Sequence, residues 1–152
     1  MRARIAIPVA VVLLAGLAGC GDGGGGVAAR DRSPEAVIRD WADTLRAGDA
    51  RGAAGFFALP SVVSNGTPPI VLRTRSEVRR FNEELPCGAR LLRTSSSAGF
   101  TTAVFRLTER PGPGVCGTGT GMTARTTFVV RDGKIREWRR VEDSPAPTGP
   151  IV

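Results

Sequence analysis

Phe128-Val129-Val130-Arg131-Asp132-Gly133-Lys134-Ile135 is two strand ends joined by a two-residue turn. Asp-Gly between β-branched and aromatic residues signals a hairpin, because the favoured turn needs positive φ at both central positions. Backward from the turn, Thr123–Arg131 places Ala124, Thr126, Phe128 and Val130 on one side, the period of a half-buried strand. Forward from it, Ile135–Val141 is the return strand. Phe100–Glu109 repeats the pattern, with Ala103, Phe105 and Leu107 on one face and Phe100, Thr102 and Val104 on the other. Leu91–Ser96 reads as one more strand. Between these runs, Arg110–Gly121 holds Pro111, Pro113 and five glycines and is predicted as a loop.

Upstream the period changes to that of helices. Ser33-Pro34-Glu35 supplies a cap, a proline suited to the first turn, and an acid facing the positive end of the helix dipole. Val37, Ile38, Trp41, Ala42 and Leu45 then form one apolar stripe. Gly48 closes this helix. Asp49 caps a second, Ala50–Leu59, with Ala53, Ala54 and Phe57 inward and Pro60 as its stop. Ser61–Ser64 and Ile70–Arg73 are short extended pieces. Ser76 caps a third helix, Glu77–Leu85, which buries Val78, Phe81 and Leu85. Helices first and antiparallel strands last predict an α+β fold, three N-terminal helices packed on one face of a sheet.

The first twenty residues have a different character. Arg2 and Arg4 precede the 13-residue apolar run Ile5–Leu17, and Leu17-Ala18-Gly19-Cys20 closes it. The run is shorter than the roughly 20 residues of a membrane-spanning helix, and it has the basic start, apolar core and small-residue end of a secretory signal. Its end resembles the lipobox of bacterial lipoproteins. That resemblance implies removal of 1–19, lipidation of Cys20, and a place on the extracytoplasmic face of the cell membrane, held by a lipid anchor. Two acyl chains hold a protein stably where one does so marginally. Residues 20–32, rich in glycine, read as a tether, 33–143 as the domain, and 144–152 as a Pro-rich tail.

Residues 20–152 carry 19 basic and 14 acidic side chains, and Lys134 is the single lysine. The chain contains no His and no Tyr. This removes the Ser-His-Asp triad, His acid–base pairs and most zinc sites. No catalytic set, metal site or cofactor is therefore read from the sequence, and acid–base chemistry would rest on Asp or Glu. An exported chain with few aromatic stacking platforms is not expected to bind nucleic acid. With Cys20 acylated, Cys87 and Cys116 remain as an even pair in a compartment that permits disulfides.

Three stretches resemble the nuclear transport factor 2-like superfamily. They are Trp41–Leu45–Gly48-Asp49 followed by Ala53-Ala54–Phe57, the Phe81–Leu85 helix, and the closing Phe128–Ile135 hairpin. The resemblance covers 33–143. It implies a cone of curved antiparallel sheet wrapped over three helices, the cystatin-like or SnoaL-like cone. Enzymes of that superfamily work inside the cone with Asp or His bases and Tyr or protonated Asp donors. Other members act as binding or accessory modules, and many pair through the outer sheet face, which makes a homodimer an expectation.

The resemblance places Trp41, Phe57, Phe81, Phe105 and Phe128 around the cavity. Glu137 and Arg139 alternate with Ile135 and Val141. If the latter two face the cone, Glu137 is a candidate base and Arg139 its neighbour. If Trp138 marks the buried side instead, Glu137 and Arg139 pair at the rim. The leading expectation is a membrane-anchored, non-catalytic module for a small apolar ligand or an envelope protein. A SnoaL-like enzyme using a carboxylate in the cone, and a purely structural interaction module, stand beside it.

Overall fold

A computed structural model describes residues 32–141. Cys20, the leader, the tether up to residue 31 and the tail 144–152 lie outside the described residues. The chain runs α1 (Pro34–Arg46), α2 (Ala50–Ala54), β1 (Phe57–Ser64), β2 (Ile70–Leu72), α3 (Arg75–Glu84), β3 (Gly88–Ser97), β4 (Phe100–Thr108), a 3-10 turn (Gly117–Gly119), β5 (Thr123–Arg131) and β6 (Lys134–Val141). Six strands form one curved sheet in the order β2-β1-β6-β5-β4-β3.

Local chemistry explains most boundaries. The Ala36 amide donates to the Ser33 hydroxyl at 3.2 Å, and the Gly52 amide to the Asp49 carboxylate at 2.7 Å. Gly48, at φ +90°, supplies the left-handed residue that ends α1. The β5–β6 turn has Asp132 and Gly133 at φ +53° and +68°, as the Asp-Gly signal requires. The β3–β4 turn has the same shape, with Ala98 at φ +50° and Gly99 at +81°. A Cβ in that region is strained.

Several expectations are corrected. The cap of α3 is Thr74, not Ser76. The Glu77 amide donates to the Thr74 hydroxyl, and the Glu77 carboxylate accepts from the Thr74 amide at 2.8 Å. Glu77 stands three residues after Thr74, the spacing of a reciprocal capping box.

The second helix stops at Ala54. Phe57 opens a strand instead of closing a helix, and Pro60 lies inside that strand. The β1–β6 register slips between Phe57↔Ile135 and Val62↔Glu137. Pro60 sits in this bulge, where no ladder hydrogen bond is needed.

The third helix follows two strands, so the helices are not all N-terminal to the sheet. Nor is the sheet wholly antiparallel, because β1 runs parallel to β6. The two extended pieces read from the sequence are the visible parts of β1 and β2.

The core lies between α1, α3 and the concave face of the sheet. Trp41 is at its centre. Its ring meets those of Phe57, Phe105, Phe128 and Trp138 edge to face, with centroids 5.7–6.4 Å apart. Phe81 closes the ring of contacts against Trp138 at 5.2 Å and Phe57 at 6.0 Å. The Trp41 indole N–H donates to Asn82 Oδ1 at 2.9 Å, and Asn82 Nδ2 donates to the Val78 carbonyl at 2.8 Å. A fully buried amide is thus satisfied on both sides.

Candidate functional site

The aromatic cluster fills the cone except at one end. There a cavity of about 120 Å³ remains. Trp41 and Leu45 of α1 form one wall, and Leu85, Pro86 and Cys87 beyond α3 form another. The sheet contributes Ala89, Phe105, Leu107, Ala124, Thr126, Trp138 and Arg140, while Asn65 after β1 stands at the rim. Asn65, Pro86 and Arg140 are exposed, so the mouth opens on their side. A surface hollow beside Arg51, Arg75 and Arg79 is larger, about 470 Å³, but lies outside the cone.

No Asp or Glu lines the cavity. Its polar side chains are Asn65, Thr126 and Arg140. The Trp138 Nε1 is buried and has no hydrogen-bond partner among the described residues. An orphaned buried donor is uncommon in folded proteins. No cluster of three or more metal-ligating side chains occurs among the described residues.

The candidate residues separate into three groups. Trp41 and Phe105 line the cavity. Phe57, Phe81 and Phe128 are buried in the aromatic core beside it. Glu137 and Arg139 lie on the opposite, convex face. They pair across the ladder with Val129 and Thr127, while Trp138 and Arg140 pair with the inward Phe128 and Thr126.

The cause is a bulge in β6. The register shifts between Val129↔Glu137 and Val130↔Ile135, which inserts Arg136. One extra residue reverses which side chains face inward. Ile135 and Trp138, three apart, are therefore both buried. Arg139 donates to Glu137 at 2.8 Å on the solvent side, where an ion pair contributes little. Of the two arrangements open in the sequence, the one with Trp138 on the buried side and Glu137 paired with Arg139 outside the cone is the one found.

The cavity wall at Cys87 is tied to the Gly- and Pro-rich loop that follows β4. Cys87 and Cys116 form a disulfide, with Cα atoms 4.5 Å apart. Glu109 accepts from the Cys116 amide (3.2 Å), the Gly117 amide (3.0 Å) and the Thr120 hydroxyl (2.8 Å). The Thr120 bond, then the Cys116 amide, holds its carboxyl below the usual range.

Arg110, predicted only as loop, is 7% exposed. It donates to the carbonyls of Leu85 (2.6 Å), Glu83 (2.9 Å) and Asn82 (3.3 Å). Those carbonyls sit at the end of α3, where the helix provides no donors of its own. The signal missed in the sequence is a single arginine among glycines and prolines.

The solved structures with this shape are cone proteins. A proposed polyketide cyclase from Sinorhizobium meliloti superposes with a TM-score of 0.56 at 15% identity, covering 72% of this chain and 95% of that one. A proposed ketosteroid isomerase from Kribbella flavida gives 0.51 at 20% identity, over 75% of this chain and 82% of its own. A nuclear transport factor 2-like protein of unknown function from Cytophaga hutchinsonii gives 0.56 at 7% identity, over 73% and 90%. No family model matches the sequence, and no curated protein matches it. At these identities the likeness is one of fold alone: the chain folds as a cone of the nuclear transport factor 2-like, SnoaL-like and ketosteroid isomerase-like kind.

Proposed function

We propose that this protein is a non-catalytic binding module whose cone holds a small, mainly apolar ligand. In this reading it is tethered through lipidated Cys20 to the extracytoplasmic face of the cell membrane. The observation that carries the binding reading is the apolar cavity without a carboxylate. With no His or Tyr in the chain, no proton donor or acceptor of suitable pKa stands where a bound ligand would react. An apolar engineered cavity of about 150 Å³ takes up benzene, so about 120 Å³ suits a single small ring or a short branched chain.

Thermal shift and calorimetry with benzene, indole and phenol, on the wild type and on Ala124→Leu, test this reading. Ala124 is buried and lines the cavity, and a leucine there would occupy much of the space. Saturable binding by the wild type, lost in Ala124→Leu, is the expected result.

The SnoaL-like enzyme is the second reading, favoured by the fold shared with the proposed cyclase and isomerase. Glu84, beside an outer hollow with Phe81 and Leu85, would then be the carboxylate to remove. Turnover of a small ketone lost in Glu84→Gln, with binding kept, would replace the first reading.

A further inference from the structure

Strands β3 to β6 contain nine arginine and lysine residues and one carboxylate, Glu137. Register sorts them. Ala89↔Leu107, Leu91↔Phe105 and Phe128↔Trp138 face the core, so the alternate pairs face out. Arg90↔Arg106 form one outward pair, and Arg93↔Val104↔Arg125 a row across three strands. Arg139 joins them from β6.

Arg90, Arg93, Arg106 and Arg125 are exposed and make no ion pair among the described residues. Val104 lies between Arg93 and Arg125 on this outer face, yet is only 8% exposed. Long arginine stems can cover such a residue while their charged ends stay in water. The helices pack on the concave side, and among the described residues nothing covers this face.

We infer that the convex face of the sheet rests on anionic phospholipid headgroups. Charge chooses between the occupants. A second copy docked face to face would set two groups of unpaired arginines against each other, and like charges brought into contact disfavour a partner. An anionic bilayer offers the opposite sign over an area as broad as the sheet, and basic residues near it are each drawn to it.

The inference rests on the membrane-proximal reading for the source of the lipid, and on the register for the surface.

The test is co-sedimentation of the mature chain, residues 20–152 carrying Cys20→Ser, with vesicles of phosphatidylcholine, with and without phosphatidylglycerol. Mass spectrometry of native protein decides lipidation separately, so failure of the anchor and failure of the face are distinguishable. Binding should require phosphatidylglycerol and weaken as salt shortens the range of the attraction. Arg93→Glu/Arg125→Glu should reduce it at least ~25-fold, taking about fivefold per arginine. Arg51→Glu/Arg80→Glu changes net charge equally from the helical side and should lose far less. Arg93→Gln/Arg125→Gln should also weaken binding, which guards against misfolding of the reversed variant.

Equal losses from both faces, or equal binding to both vesicles, would overturn the inference. So would a dimer at equilibrium sedimentation that either face variant dissolves, or binding of an oligonucleotide in place of vesicles.

Discussion

The two ends of the cone are held by different physics. At the closed end, Trp41, Phe57, Phe128 and Phe81 bury large rings against one another, and one amide, Asn82, satisfies the indole. At the open end, the Gly- and Pro-rich segment between β4 and β5 has little apolar surface to bury. A disulfide, the Glu109 carboxylate and the Arg110 guanidinium hold it instead. The difference shows two ways of fixing the chain, by packing and by directed bonds. Side chains expand to fill a packed core, whereas hydrogen bonds and a crosslink fix backbone without filling space.

Substitutions should expose that division. Trp41→Ala is expected to have the largest effect, about 3–5 kcal/mol by analogy with other buried Trp and Phe truncations, and leaves Asn82 Oδ1 without its donor. Urea unfolding would measure it. A loss below that of the open-end changes would break the comparison.

Reducing Cys87–Cys116, or replacing both with Ser, should cost ~2–4 kcal/mol for a loop of this order. The same unfolding experiment should report it, and hydrogen exchange should rise in 110–121 more than in α1.

Arg110→Ala should cost about 2–3 kcal/mol, since hydrogen bonds to a charged group are worth ~1.5–3 kcal/mol. Arg110→Lys should recover little, because an ammonium cannot reach the same set of carbonyls with a planar fork. Faster amide exchange at the end of α3 would be its local signature.

Acid should act through exposed carboxylates more than through the core. Glu77 is held below the usual range by the Arg73 and Thr74 amides, Glu109 by Thr120 and the Cys116 amide, and Glu35 by Thr94 and Arg39. A depressed folded pKa means the unfolded chain takes up protons first. Stability from these groups is therefore present at and above the ordinary glutamate range and is lost as pH falls through the folded values. Unfolding midpoints should stay level near neutrality and drop below that range. Glu77→Gln and Glu109→Gln should flatten the fall, and an unchanged slope in both would remove these carboxylates from the account.

The smallest changes sharpen the contrast between sheet and turn. Ala98→Gly should stabilise by ~0.5–1 kcal/mol, because it relieves a left-handed alanine. Glu137→Gln should stay within about 0.5 kcal/mol, as expected of a surface pair, and should leave ligand binding at the cavity intact.

Features that depend on neighbours along the chain are legible in the residues alone. Ser33 and Asp49 cap because their oxygens reach amides three residues on, Asp132-Gly133 turns because its φ values are permitted, and β5 alternates because nothing interrupts it. Cys87 and Cys116 could be paired by counting. Tertiary structure decided whatever depends on a partner strand. Phe57 leaves the helix because β6 offers it a place beside Ile135. The bulge at Arg136 carries Glu137 and Arg139 out of the cone and brings Trp138 and Arg140 in. Arg110 finds the end of α3 only once β4 has brought it there. A single inserted residue leaves no mark on composition or period, yet it reverses the faces of a strand, and with them the chemistry of the cavity.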